Sequence, residues 1–139
     1  MNYLCLINNI LYVDNKVIDK TFNKYIDELA LPYFKSLSSI RLSTKKLLNI
    51  KKNIPLYISN KILLIPIIIK NYKYYINYYS LFKISYKNNE LMMCFNDGET
   101  LSLNLSYSKY KTYVENSEKI VSYLGKYTYN NWITINLNV

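Results

Sequence analysis

Arg41 is the only arginine in the chain, and it stands in the most basic and hydroxyl-rich stretch of it. Ser36, Ser39, Arg41, Lys45, Lys46, Lys51 and Lys52 fall within 17 consecutive positions. Serine hydroxyls suit phosphate oxygens, and each lysine that neutralises a phosphate releases condensed counterion. Ser38, Ser43 and Thr44 add further small donors to the same stretch. Arginine adds what lysine cannot. Its planar fork contacts base edges in two places at once, or enters a narrow minor groove. The same residues have a plainer reading, as solvated lysines beside an arginine kept by chance. For each residue taken singly, both readings stand.

Collectively the charges are harder to dismiss. Between Glu28 and Glu90 lie 61 positions with ten lysines, Arg41 and no acid at all, a segment of +11. Seven lysines and all nine acids occupy the flanks, which sum to −2. Abundant Lys, Asn, Ile and Tyr are what an AT-rich genome would encode, but Asp and Glu have AT-rich codons too. Codon bias therefore explains the lysines and leaves the missing acids unexplained. Such a one-sided field is a surface suited to a polyanion. Tyr72, Tyr74, Tyr75, Tyr78 and Tyr79 are interleaved with it. They suit stacking on unpaired bases, or equally the two faces of a strand or a self-association surface.

The chemistry that is missing narrows the class. With no histidine, the chain offers no Ser-His triad, no histidine general base and few routes to zinc. Two distant cysteines make no metal site unaided, and two glycines make no phosphate loop. Asp97 and Glu99 flank a turn, and Glu115 and Glu118 lie near Lys111 and Lys119 on a polar helix face. Nothing here is assembled for catalysis, so the expectation is a non-enzyme without cofactor or metal. The longest apolar run, Ile62 to Ile69, is far short of the roughly 20 residues of a membrane helix. No secretory signal opens the chain, and Cys5 and Cys94 read as buried free thiols. A cytoplasmic protein is expected.

The elements that must position these residues read as one α+β domain over 1–139, mainly antiparallel sheet. Asn8-Asn9 joins Tyr3–Ile7 to Ile10–Val13 as a two-residue hairpin, and Asp14-Asn15 marks a second turn. Phe22, Tyr25, Ile26 and Leu29 recur at helical spacing, and Leu31-Pro32 should end that helix. A short helix capped by Ser43 is expected over Thr44 to Asn49. Ser59-Asn60-Lys61 joins two apolar strands. Tyr74 to Tyr86 reads as a single bent strand. Asn96-Asp97-Gly98 forms the clearest hairpin, with Gly98 supplying positive φ. Ser106 or Ser108 then caps a long helix from Tyr107 to Leu124, ended by Gly125 in a left-handed cap. Its expected apolar stripe is Tyr107, Tyr110, Val114, Val121 and Leu124, with Tyr113 and Ile120 widening it. Tyr129 to Val139 alternates as one more strand.

Several of these motifs stand in a familiar order. Lys52-Asn-Ile-Pro-Leu-Tyr-Ile58 is followed by Lys61-Ile-Leu-Leu-Ile-Pro66, then by Leu91-Met-Met-Cys-Phe-Asn-Asp-Gly98 and Leu101-Ser-Leu-Asn-Leu-Ser106. Over about 36–124 this order resembles the competence transcription factor ComK family, as a divergent, short member. The Ser-rich segment that ends in arginine shortly before the Pro strand is matched by Ser36 to Arg41. The resemblance implies a nucleoid-associated bacterial activator that binds AT-rich double-stranded DNA through the minor groove. It also implies self-association and control through an adaptor of a Clp protease. By that reading Ser36, Ser39, Arg41, Lys45, Lys46, Lys51 and Lys52 form the DNA-binding set. Two rivals remain open: a non-enzymatic interaction protein that modulates a full-length relative, and a nonspecific nucleic-acid binder, RNA included.

Overall fold

A computed structural model describes the backbone of residues 1–137 and the side chains of residues 1–125. It has α+β architecture with two antiparallel sheets. The chain runs β1 (Tyr3–Ile7), β2 (Ile10–Val13), β3 (Lys16–Ile18), α1 (Phe22–Ala30), α2 (Leu37–Leu48), β4 (Leu56–Ser59), β5 (Ile62–Ile69), β6 (Tyr72–Asn77), β7 (Leu81–Lys87), β8 (Glu90–Phe95), β9 (Thr100–Leu103) and α3 (Tyr107–Leu137). Six strands form one sheet in the order β3-β2-β1-β6-β5-β4, and β7-β8-β9 form the other.

Asparagine makes the tight turns in a chain nearly without glycine. Asn8 and Asn9 turn β1 into β2, Asp14 and Asn15 turn β2 into β3, and Asn88 and Asn89 turn β7 into β8, all with positive φ. Two successive left-handed residues are what a type I′ hairpin requires, and Asn and Asp adopt that conformation at least cost. At the β8–β9 turn Gly98 has φ +89.

The large sheet is buried on both faces, which explains the unbroken apolar run of β5. One face packs Leu4, Leu56, Leu64 and Tyr75 against Phe22 and Ile26 of α1 and Leu37 and Ile40 of α2. On the other, Ile65, Ile67 and Ile76 meet Leu91, Met93 and Phe95 of β8 and Tyr110 and Val114 of α3. Successive residues of a strand point to opposite faces, so Leu64 and Ile65 serve different cores. Pro66 is tolerated within β5 for a similar geometric reason. The Leu63 N–H donates to Asn77 of β6, so two-residue alternation turns the Pro66 nitrogen toward β4. There the neighbouring strand pairs no further than Leu64, and no ladder bond is lost.

Five expectations need correction. The stretch read as one bent strand is two strands in different sheets. A single 3₁₀ turn, Tyr78–Ser80, separates them, opened by Asn77, whose side chain accepts from Tyr79 N–H. The buried Asn77 amide also donates to the carbonyls of Met1 and Lys61 and to Ser80, tying the break to the N-terminus. Second, the helix expected from Thr44 begins at Leu37. Third, Tyr107 is exposed and Val121 and Leu124 are only partly buried, while Tyr110, Val114 and Ile120 are buried as expected and Ser117 joins them. Fourth, Gly125 does not take a left-handed conformation, and α3 continues through it. Fifth, residues 129–137 of the strand expected over Tyr129 to Val139 are helical and continue α3, and residues 138–139 lie outside the described residues. Among the described residues no helix is long and apolar enough to cross a membrane.

Candidate nucleic-acid interface

Helix α2 carries the centre of the candidate site. It forms because Leu37, Ile40 and Thr44 repeat at helical spacing and are buried, against α1 and the edge strand β4. Its start is built from hydroxyls. Ser36 Oγ accepts from Ser39 N–H at 3.1 Å, while Ser39 Oγ accepts from Ser36 N–H at 2.9 Å, a reciprocal capping box. Asp27 Oδ1 takes the N–H of Leu37 at 2.7 Å. Two serines expected to meet phosphate are therefore committed to helix α2, beside a carboxylate that disfavours an anion there. Thr44 is buried in the core side of the helix, and Ser43 lies in mid-helix rather than at a cap.

The cations sit differently. Arg41 and Lys45 are one helical turn apart, about 40° around the axis, on the strip next to the buried one. Arg41 is half-buried and Lys45 exposed, with exposed Lys46 adjoining. Lys45 and Lys46 occupy the last turn, where positive charge also complements the helix dipole. Asn49 closes the helix with φ 54, and its N–H returns to the Lys45 carbonyl. Lys51 and Lys52 follow at once in the loop to β4. Chain geometry alone keeps the Cα of Lys51 within about 15 Å of that of Lys45.

Ion pairing decides how much of this charge is available. The salt bridges among the described residues are Lys20–Glu28 and Lys119–Glu115. Arg41, Lys45, Lys46, Lys51 and Lys52 take part in neither. Not every lysine of the acid-free segment is equally free. Lys35 donates to the Ile58 carbonyl at 3.2 Å and lies 4.6 Å from the Tyr57 ring centroid. Burial pulls its ammonium below the usual lysine value. Lys73 lies 5.3 Å from the Tyr75 ring centroid. These two lysines brace the fold. Two acids outside the segment are also structural: Asp14 binds the backbone of Asn2 and Tyr3, and Asp97 the side chain of Asn2.

Of the tyrosines considered for stacking, Tyr75 is buried against Phe22, with ring centroids 4.5 Å apart. Tyr74 is held near Cys5, and desolvation pushes its pKa up to about 12. Tyr72, 44% exposed, is the most accessible residue of the cluster.

Lys51 and Lys52 also rim an open groove of about 1150 Å³. Across from them stand Lys70, in the β5–β6 turn, and Lys109, in the first turn of α3. Lys109 lies outside the acid-free segment, and nothing local in the sequence brings it to Lys51. Only the packing of α3 on β5, fixed by the Tyr113 hydroxyl donating to the Ile68 carbonyl, does so. Among the described residues no three His, Cys, Asp or Glu side chains converge as metal ligands.

No family model matches the chain, and no curated protein or solved structure matches it either.

Proposed function

We propose that the protein is a DNA-binding transcriptional regulator acting on AT-rich duplex, as the resemblance to the ComK family implies, in the cytoplasm and at the nucleoid. The observation that carries this reading is the uncompensated cationic strip of α2 and its following loop. Arg41, Lys45, Lys46, Lys51 and Lys52 stand on a capped helix and in the loop it leads into, and none of them belongs to a salt bridge among the described residues. Lysines neutralise phosphates along the backbone and fix position without reading sequence. Arg41 supplies the selective contact. AT-rich tracts narrow the minor groove and deepen its negative potential, and a guanidinium is less strongly hydrated than an ammonium and enters more cheaply. Ser36 and Ser39 contribute indirectly, by holding the helix that presents these cations.

A gel shift comparing AT-rich with GC-rich duplex tests the assignment of Arg41. Wild-type protein prefers the AT-rich duplex, and Arg41→Ala loses most of that preference while keeping weak binding to both. An Arg41→Ala variant with intact preference would remove Arg41 as the reader.

A further inference from the structure

We infer that the groove rimmed by Lys51, Lys52, Lys70 and Lys109 seats a phosphodiester strand of the bound duplex, with Lys70 and Lys109 as contacts additional to the α2 strip. This rests on the DNA-binding reading above and extends it to a surface that the acid-free segment alone does not define. Three separate parts of the fold deliver the four lysines: the loop after α2, the β5–β6 turn and the first turn of α3. No acid lines the groove, and none of the four lysines belongs to a salt bridge among the described residues. Bringing like charges together across a groove without a counter-charge is unfavourable unless an anion occupies it.

The remaining lining matches the same ligand. Asn53, Asn104 and Asn116 offer neutral donors beside the cations, as phosphate and sugar oxygens accept. Ile50, Ile69 and Leu105 give an apolar floor that holds no competing charge. The groove is open rather than enclosed, which suits an extended polymer better than a small molecule. It is also continuous with the α2 strip through Lys51 and Lys52.

The test is a fluorescence-anisotropy titration of AT-rich duplex over a series of salt concentrations. It compares wild type, Lys70→Gln/Lys109→Gln, and a control pair on exposed positions of β7, Lys83→Gln/Lys87→Gln. Two lost phosphate contacts lower the steepness of log K against log salt by about 2. The groove variant should show that drop, with its preference for AT-rich over GC-rich duplex unchanged. The control should keep the wild-type slope, and all three proteins should melt alike. A groove variant with the wild-type slope would overturn the groove while leaving the α2 strip in place. A wild-type protein with no salt-dependent duplex binding would overturn both.

Discussion

Ser36 and Ser39 cap each other, each hydroxyl taking the other residue's backbone N–H at the start of α2. The relationship reassigns two residues that, by type and position, suit phosphate. Both hydroxyl oxygens accept from the helix start, and Asp27 stands beside them on the N–H of Leu37. Ser36→Ala should therefore cost about 1 kcal/mol of stability, seen as a melting point lowered by a few degrees. The salt dependence of duplex binding should stay unchanged. A Ser36→Ala protein that melts normally but loses a unit of salt slope would return the serine to the interface.

Ser117 is the polar atom in the second core that finds no partner. It is fully buried on α3 between Val114 and Ile120, and its hydroxyl makes no hydrogen bond. Removing an unsatisfied buried hydroxyl relieves a desolvation cost, and alanine is the better helix former. Ser117→Ala should leave stability unchanged or raise it by up to about 1 kcal/mol in urea unfolding. A loss of comparable size would mean the hydroxyl is bonded after all.

Phe34, which follows the 3₁₀ turn Leu31–Tyr33 at the end of α1, has φ 58 and is 99% exposed. A bulky residue in the left-handed region is strained by about 1 kcal/mol, and this ring recovers none of it through burial. Phe34→Gly should raise the melting temperature by a few degrees. Destabilisation would show that the ring packs on something in solution.

Alkaline pH should unfold the protein through its buried phenols and thiol. Desolvation raises Tyr110 well above the ordinary tyrosine value, Tyr74 to about 12, and Cys5 above the usual thiol value. Because folding raises these values, the native state holds protons that the unfolded chain gives up. Their contribution is complete below the unfolded values, near 9.0 for the thiol and 10.0 for the phenols, and drains as pH climbs through the folded ones. Urea midpoints should be flat from pH 7 to about 9 and fall beyond it. Tyr74→Phe/Tyr110→Phe should flatten that fall, and an equally steep fall in the double variant would assign it to other groups.

Much of the fold was legible because this chain marks its turns with asparagine. Asn8-Asn9, Asp14-Asn15 and Gly98 place hairpins from local chemistry alone, and Ser106 marks the start of α3, taking the N–H of Lys109. The break after Asn77 was not legible, because Tyr74 to Tyr86 continues in β-favouring residues on both sides of it. What ends the strand there is a buried amide bonded to Met1 and Lys61, partners distant in sequence. The start of α2 was hidden differently. Ser36 and Ser43 are equally good caps locally, and the choice is made by Leu37 and Ile40 finding the core under β4. At the site, Arg41 and Lys45 could be placed on one strip from their spacing once the helix is known. Lys70 and Lys109 could not, since only tertiary packing brings a hairpin turn and a distant helix to one groove.

The most direct test of the central claim is the affinity of the wild-type protein for an AT-rich and a GC-rich duplex, each measured at two salt concentrations. A cationic strip of unpaired lysines led by one arginine predicts tighter binding to the AT-rich duplex, weakening steeply as salt rises on both. Equal affinity for the two duplexes would contradict selective reading by Arg41. Affinity indifferent to salt would contradict the interface altogether.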